Sequence, residues 1–346
     1  MGKKSKQPKS KYPFVSLVTP TFNRRPFIKS MFECYKHQTY PKERMEWIIV
    51  DDGTDKIKDL IEDSGIKEIK YYALNEKITL GKKRNMLHDK SKGDIIVYMD
   101  DDDYYPPTRV EHAVTKLKQS PKTLIAGCSQ LYIYFKHIEK MYYFGPYSKT
   151  HATAATFAFK RELLTKTRYN ENASLAEEKE FLKNYTFPMI QLDPLQVILV
   201  FSHSHNTFNK KELLEQPPNK FRTLSDKTVD DFIKEPQLKS FYLNEIEPLL
   251  CNYDPGKPEM KPDVIKQTEE IREKLRQRAL ENQRKNDEKL TGVKIRLQDN
   301  SIKELTTQEV IQMINTHKNE IKRLNAIIDE LKKKDIVQNE STTSNE

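Results

Sequence analysis

The sequence predicts an α/β protein, in which a mostly parallel sheet with helices on both faces is followed by a mainly helical tail. Across the first hundred residues, short β-branched apolar runs alternate with segments of helical period, the pattern of successive βαβ units. All 33 aromatic residues lie before Asp254, whereas the remainder is rich in Lys, Glu, Gln and Asn. At the junction, Asp254, Pro255, Gly256, Pro258 and Pro262 supply turn and breaker residues. These features divide the chain into a basic arm at 1–11, a body at 12–255 and a tail at 256–346.

Within the body, Phe14 to Val18 reads as a strand. A helix follows over Pro26 to His37, with Phe27, Met31 and Tyr35 four residues apart on one face. Trp47 to Val50 is a second strand and ends in Asp51-Asp52-Gly53. Next come a helix at Ile57 to Ser64, a strand at Ile69 to Ala73, a helix after Gly81 and a strand at Asp94 to Met99. In sheets of this kind, ligands bind beyond the carboxyl ends of the strands. In the tail, residues 264–289 read as one charged helix, and the stretch from Val293 to Ile302 as a small hairpin. Thr306 with Glu309 has capping-box spacing. The helix after it carries Val310, Ile314, His317, Ile321, Leu324, Ile328 and Leu331 in 4-3 spacing, which suits either a short coiled coil or a helix packed on its own body.

The net charge of +9 is unevenly placed. The first 11 residues carry five lysines and no acid, and from residue 256 onward 19 Lys and Arg face 17 Asp and Glu. The body is therefore close to neutral, which argues against a nucleic-acid groove. The arm reads as a solvated, disordered tail. No apolar run approaches the ~20 residues of a membrane-spanning helix, so no membrane span is expected. The opening MGKKSKQPKSK has no apolar signal core, and Cys34, Cys128 and Cys251 are too scattered for a disulfide framework or a zinc site. Together these point to a cytoplasmic, reducing setting.

The chemistry concentrates at strand ends. Asp100-Asp101-Asp102-Asp103 follows an apolar strand and precedes Tyr104-Tyr105-Pro106-Pro107, so four carboxylates crowd one turn. Like charges this close need a neutralising cation, and hard divalent ions such as Mg²⁺ or Mn²⁺ choose carboxylate oxygen; a solvated acidic turn is the alternative. Lys83 and Arg84 sit where a helix begins and suit a phosphate, or simply a solvated helix start.

Five segments occur in register: Val15-Ser-Leu-Val-Thr-Pro-Thr-Phe-Asn-Arg24, Gln38-Thr-Tyr-Pro41, Trp47-Ile-Ile-Val-Asp-Asp-Gly-Thr-Asp55, Gly81-Lys-Lys-Arg-Asn85 and Tyr98-Met-Asp-Asp-Asp-Asp-Tyr-Tyr-Pro-Pro107. In this order and spacing they resemble the family 2 glycosyltransferases of the GT-A fold, over residues 13–110 and more weakly to about 210. The resemblance implies a Rossmann-like sheet and a nucleotide-sugar donor. It makes Thr19, Pro20 and Thr21 a nucleotide-contacting segment, Asp52 the acceptor of a uracil imide N–H, and Lys83 and Arg84 diphosphate ligands. Asp100 and Asp102 match the outer positions of the family's DxD motif. Asp100 and Asp101 then face the ribose or donor sugar, Asp102 is the metal ligand, and Asp103 is a helper.

Ala176-Glu-Glu-Lys-Glu-Phe181 resembles the acidic pair that supplies the general base of inverting members. Ser174 and Glu177 also have capping-box spacing, which would occupy Glu177 and leave Glu178 as the base. Phe201-Ser-His-Ser-His-Asn-Thr-Phe208 resembles a late segment whose histidine helps hold the metal; His203, three residues before Asn206, fits it better, and His205 is also a candidate. Tyr142, Tyr143, Phe144 and Tyr147, with His151 to Phe157, offer aromatic faces for an acceptor sugar or for the core.

The function expected is a Mn²⁺- or Mg²⁺-dependent inverting transfer from a UDP-sugar to a hydroxyl of a glycan, protein or lipid, with possible homo-oligomerisation through the tail. A body ending near residue 256 would then keep its nucleotide site. The alternative is a non-catalytic carbohydrate- or protein-binding scaffold oligomerised by the tail. A nucleotidyltransferase would want a Gly-rich phosphate loop where this chain reads Thr21-Phe22-Asn23-Arg24.

Overall fold

A computed structural model of the chain describes residues 11–290, 293–297 and 299–342; the basic arm, apart from Lys11, lies outside the described residues. Two compact units divide at Thr268 and Glu269.

The first unit is built on seven strands: β1 (Val15–Thr21), β2 (Met45–Asp51), β3 (Ile69–Ala73), β4 (Ile95–Tyr98), β5 (Ile125–Gly127), β8 (Ala158–Lys160) and β9 (Met189–Gln191). Their order is β3-β2-β1-β4-β8-β5-β9. The first four run parallel, β8 is antiparallel to both its neighbours, and β5 pairs with β9 in parallel. A second sheet, ordered β10-β6-β7-β11, is formed by β6 (Leu131–Phe135), β7 (Lys140–Phe144), β10 (Val200–Ser202) and β11 (Arg222–Leu224). The early βαβ alternation matches the expected α/β class. The antiparallel insertion of β8 carries no signal in a run of three residues.

Alternation along the strands sorts two hydrophobic layers. Leu17, Trp47, Ile49 and Val97 pack against Ile28, Met31 and Tyr35 of α1 (Arg25–Lys36) and Val110, Val114 and Leu117 of α4 (Arg109–Gln119). On the other face, Val18, Ile48, Val50, Ile96 and Tyr98 meet Leu87 of α3 (Leu80–Lys90) and Phe181 of the short helix α5 (Glu178–Phe181). A shorter helix, α2 (Lys58–Ser64), connects β2 to β3. Being buried on both faces, β1, β2 and β4 read as continuous apolar runs, as parallel strands do. Thr21 lies opposite Asp51, and Val18 opposite Tyr98, so the ends of β1, β2 and β4 share one rim.

The first unit runs past the expected 255/256 boundary because the breaker-rich segment docks rather than links. Asn23, in the left-handed region at φ 52°, donates its side-chain amide to the Pro255 carbonyl at 2.8 Å. Gly256 sits so close that a Cβ there would meet the Asn23 carbonyl oxygen at 2.6 Å. Farther on, Asp263 pairs with Lys77 and accepts from Ser174, while Gln267 accepts the Ser174 backbone N–H at 2.8 Å.

The second unit contains the end of the helix Pro262–Leu290, an antiparallel hairpin of β12 (Val293–Arg296) and β13 (Ile302–Leu305), and the helix Thr307–Thr342. Thr306 and Glu309 form the reciprocal capping bonds expected. Ile314 and Ile321 of the heptad stripe are 57% and 58% exposed. Among the described residues no helix is long and apolar enough to cross a membrane.

The Gly256 packing makes a stability prediction. Gly256→Ala should lower the urea midpoint, at unchanged slope, by the equivalent of about 1–3 kcal/mol, the usual cost of overpacking. An unaltered midpoint would mean that the segment does not rest on Asn23.

Candidate active site

A cavity opens at the rim shared by β1, β2 and β4. Its walls are Pro20 and Thr21 at the end of β1, Arg24 after it, Lys83 and Arg84 on α3, and Asp100, Asp101 and Asp102 after β4. Lys77, Ile78, Ser174, Lys261 and Asp263 complete it, and it holds about 140 Å³.

The acidic turn is bound from both sides. Arg24 places Nη2 3.2 Å from Asp102 and Nε 3.5 Å from Asp101, and donates from Nη1 to the His205 carbonyl at 2.7 Å. Behind the turn, Tyr105 accepts the Asp100 backbone N–H at 2.8 Å, Tyr242 donates to the Asp103 carbonyl at 2.9 Å, and Asp103 accepts the Phe201 N–H at 3.2 Å. Gln38 ties α1 to the same loop, donating to the Cys34 and Pro106 carbonyls and accepting from Val110.

The electrostatics split the four carboxyls. Burial, offset only in part by Arg24, pushes Asp101 up to about 7. Burial also raises Asp100, against the pull of Arg84, and raises Asp103 well above the usual range, helped by Asp102. At Asp102 burial is outweighed by Arg24 and His203, which hold its carboxyl well below the usual range. One ionised acid therefore sits among neighbours that resist ionisation, as crowded like charges should.

His203 lies with Nε2 3.2 Å from Asp102, and Asn206 braces it by accepting the His203 backbone N–H at 2.8 Å. Burial pushes His203 down to about 3, so its imidazole is neutral and fit to ligate a metal. His205 is turned away, its Nε2 against the Tyr253 carbonyl at 2.7 Å and its Nδ1 beside Ser204. Of the two histidines, the structure brings His203 and not His205 to the acidic turn.

Among the described residues no three His, Cys, Asp or Glu groups converge as a closed metal cage. Asp102 and His203 supply a carboxylate and an imidazole, and Asp100 Oδ1 is buried without a hydrogen-bond partner. That donor set fits a Mn²⁺- or Mg²⁺-type ion whose remaining positions are filled by water and substrate phosphate.

Other expected residues sit behind the cavity. Thr19 donates to the Met99 carbonyl at 2.6 Å and accepts from Trp47 at 2.9 Å, which ties β1 to β2 and β4 rather than facing a ligand. Asp52 is enclosed, one oxygen paired with Lys83 and the other accepting the Ile78 N–H at 2.8 Å, so it offers no open acceptor edge for a base.

Glu177 does not cap a helix with Ser174. It accepts from Arg84 Nε at 2.7 Å, and Arg84 in turn lies 3.7 Å from Asp100. Burial opposes the Arg84 charge, but Glu177 and Asp100 raise its pKa well above the ordinary value. Glu178 is half-buried outside the cavity lining; burial, then Glu177, raises its carboxyl to about 7. Near it, Tyr147, His151 and Tyr185 form an aromatic row, with ring centroids 4.8 and 4.9 Å apart in succession. Tyr142 to Phe144 instead form strand β7.

Sequence reasoning did not single out Arg24, Lys77, Lys261 or Asp263. Arg24 stood inside a quoted motif, and its basic side chain facing an acidic run was the available signal. The other three carry none, because long-range docking alone brings them in.

Residues 16–169 match the model for glycosyl transferase family 2. An uncharacterised glycosyltransferase of Haemophilus influenzae is 28% identical over 107 residues, covering 31% of this chain and 35% of the relative. The poly(ribitol-phosphate) beta-N-acetylglucosaminyltransferase TarS of Staphylococcus aureus is 29% identical over 98 residues, 26% of this chain and 16% of the relative. The matches therefore span well under two thirds of either relative's length. The crystal structure of S. aureus TarS 1–349 in complex with UDP aligns with a TM-score of 0.42 at 18% identity, covering 60% of this chain and 67% of that one. The strand-end motifs thus lie within residues 16–169, the part of the chain that matches glycosyl transferase family 2.

Proposed function

We propose that the protein is a metal-dependent inverting glycosyltransferase that moves a sugar from a UDP-sugar to a hydroxyl of an acceptor glycan, protein or lipid. The observation that carries this reading is the cavity in which Arg24, Lys77, Lys83 and Arg84 surround Asp100 to Asp102. Its 140 Å³ is below the ~300–1,000 Å³ of a whole small-molecule site, so it suits the charged centre of a donor whose ends extend beyond it. Three free cysteines support a cytoplasmic setting.

A divalent cation held by Asp102 and His203 would act as a Lewis acid toward the departing diphosphate. Lys83 and Arg84 bind that diphosphate, each positioned by its own carboxylate, Asp52 and Glu177. Asp100, with an unbonded buried oxygen, is the acceptor for a donor sugar or ribose hydroxyl. Glu178 takes the acceptor proton as the hydroxyl attacks. Its carboxyl, raised to about 7, is matched to neutral pH, whereas Glu177 is engaged by Arg84. One base and direct attack give inversion. The exposed stripe of the tail pairs with a second copy of the chain.

Three outcomes follow. UDP with Mn²⁺ should raise the melting temperature, and either chelator or Asp102→Ala should remove most of that rise; an equal rise in excess chelator would eliminate the metal. Glu178→Gln should keep UDP affinity but lower transfer ~10²-fold or more. In the unaltered protein transfer should climb with pH and level off above about 7, because the raised carboxyl is protonated and inactive below it; this limb should be absent from the variant. In sedimentation, Ile321→Asp combined with Leu324→Asp should reduce the full-length chain to a smaller species.

A further inference from the structure

We propose that Lys261, delivered by the segment that follows the strand-bearing core, is a ligand of the donor's diphosphate. This deepens the reading of the same cavity as a nucleotide-sugar site and rests on it.

The four other cations of the cavity each have a carboxylate. Arg24 is paired with Asp101 and Asp102, Lys77 with Asp263, Lys83 with Asp52 and Arg84 with Glu177. Lys261 is 4% exposed and lines the same space, yet among the described residues no carboxylate lies within salt-bridge distance of it. Its ammonium donates to the Thr207 hydroxyl at 3.1 Å. A buried ammonium without an anion is costly, and burial, then Arg24, pushes Lys261 down to about 6 despite the more distant Asp102 and Asp101. An anion entering the cavity removes that cost. The class of anion follows from the neighbours: Arg84, on the wall of the same cavity, keeps a buried Nη1 without a hydrogen-bond partner although it is paired with Glu177, so the space offers cationic donors to more than one phosphate oxygen.

The backbone around Lys261 is fixed at both ends. Pro255 and Gly256 rest on Asn23, in the loop that carries Arg24. On the other side, Asp263 bonds Lys77 and Ser174, and Gln267 binds the backbone of residues 172, 174 and 175. The segment therefore spans from the β1 loop to the loop that leads to Glu177 and Glu178, with Lys261 between its anchors. A side chain held in this way supplies charge at a set position without a loop having to order on binding.

The test uses the full-length chain with Mn²⁺ and compares UDP, UMP and uridine by calorimetry, for the unaltered protein and for Lys261→Gln and Lys261→Met. Melting curves like that of the unaltered chain identify a folded variant, and Met keeps the length and apolar stem if Gln disturbs packing. The expected result is a loss of UDP affinity of ~10-fold or more with uridine affinity unchanged, since only the phosphates lose a charge-assisted bond. UDP affinity equal to that of the unaltered protein overturns the inference and leaves the donor site standing. An equal loss for UDP and uridine also overturns it, making Lys261 a support for the pocket wall. If the unaltered chain binds no UDP with metal, the nucleotide-sugar reading itself fails, and the inference with it.

Discussion

Much of this structure answers one constraint, the burial of ionised groups at the end of β4. An isolated buried carboxylate costs several kcal/mol, and a pair is tolerable only with good geometry and satisfied remaining lone pairs. Here Arg24 serves Asp101 and Asp102, Arg84 bridges Asp100 and Glu177, and Lys83 closes on Asp52. The strand order makes that possible. Because β1 lies between β2 and β4, the loop carrying Arg24 falls beside both Asp52 and the acidic turn, and α3 covers the same edge with Lys83 and Arg84. A different order would leave these charges buried apart.

The turn is also held from behind by neutral groups, most of them distant in sequence. Tyr105 and Tyr242 fix its backbone, Asp103 accepts from β10, and Gln38 joins α1 to the residues after it. Asp103 is thus a structural acid whose carboxyl is pushed well above the usual range by burial, whereas Arg24 and His203 hold that of Asp102 well below it. The same residue type one position apart is shifted in opposite directions by what the fold places beside it. Such division of labour limits substitution, since neutralising one member changes the ionisation of the rest.

What could be read beforehand depended on whether the signal was local. The parallel strands were visible as apolar runs because both their faces are buried, and the acids at their ends because four in a row form a local signal. Thr306 with Glu309 was legible because a capping box is complete within four residues. The same spacing at Ser174 and Glu177 misled: Asp263 and Arg84 offered stronger partners from elsewhere in the chain. His203 fits the segment better in sequence, but His205 stays a candidate until the turn of a buried loop separates the two. The three-residue strands β5, β8 and β9 are set by neighbours rather than by propensity.

The pairing of nearly every cation before any ligand arrives bears on how such a site can work. On the proposed function, a diphosphate entering with a divalent ion would bring charges that almost cancel, so the buried net charge would change little while partners are exchanged. Asp102 would then hold the cation in exchange for part of its pairing with Arg24, and Arg24 would be free to meet phosphate while its Nη1 keeps the His205 carbonyl. Lys83 and Arg84 likewise keep Asp52 and Glu177 as anchors while presenting their remaining N–H groups. On the proposed function, the ion pairs are preorganisation: their desolvation is met during folding, and binding then needs rearrangement over short distances rather than the burial of new charge.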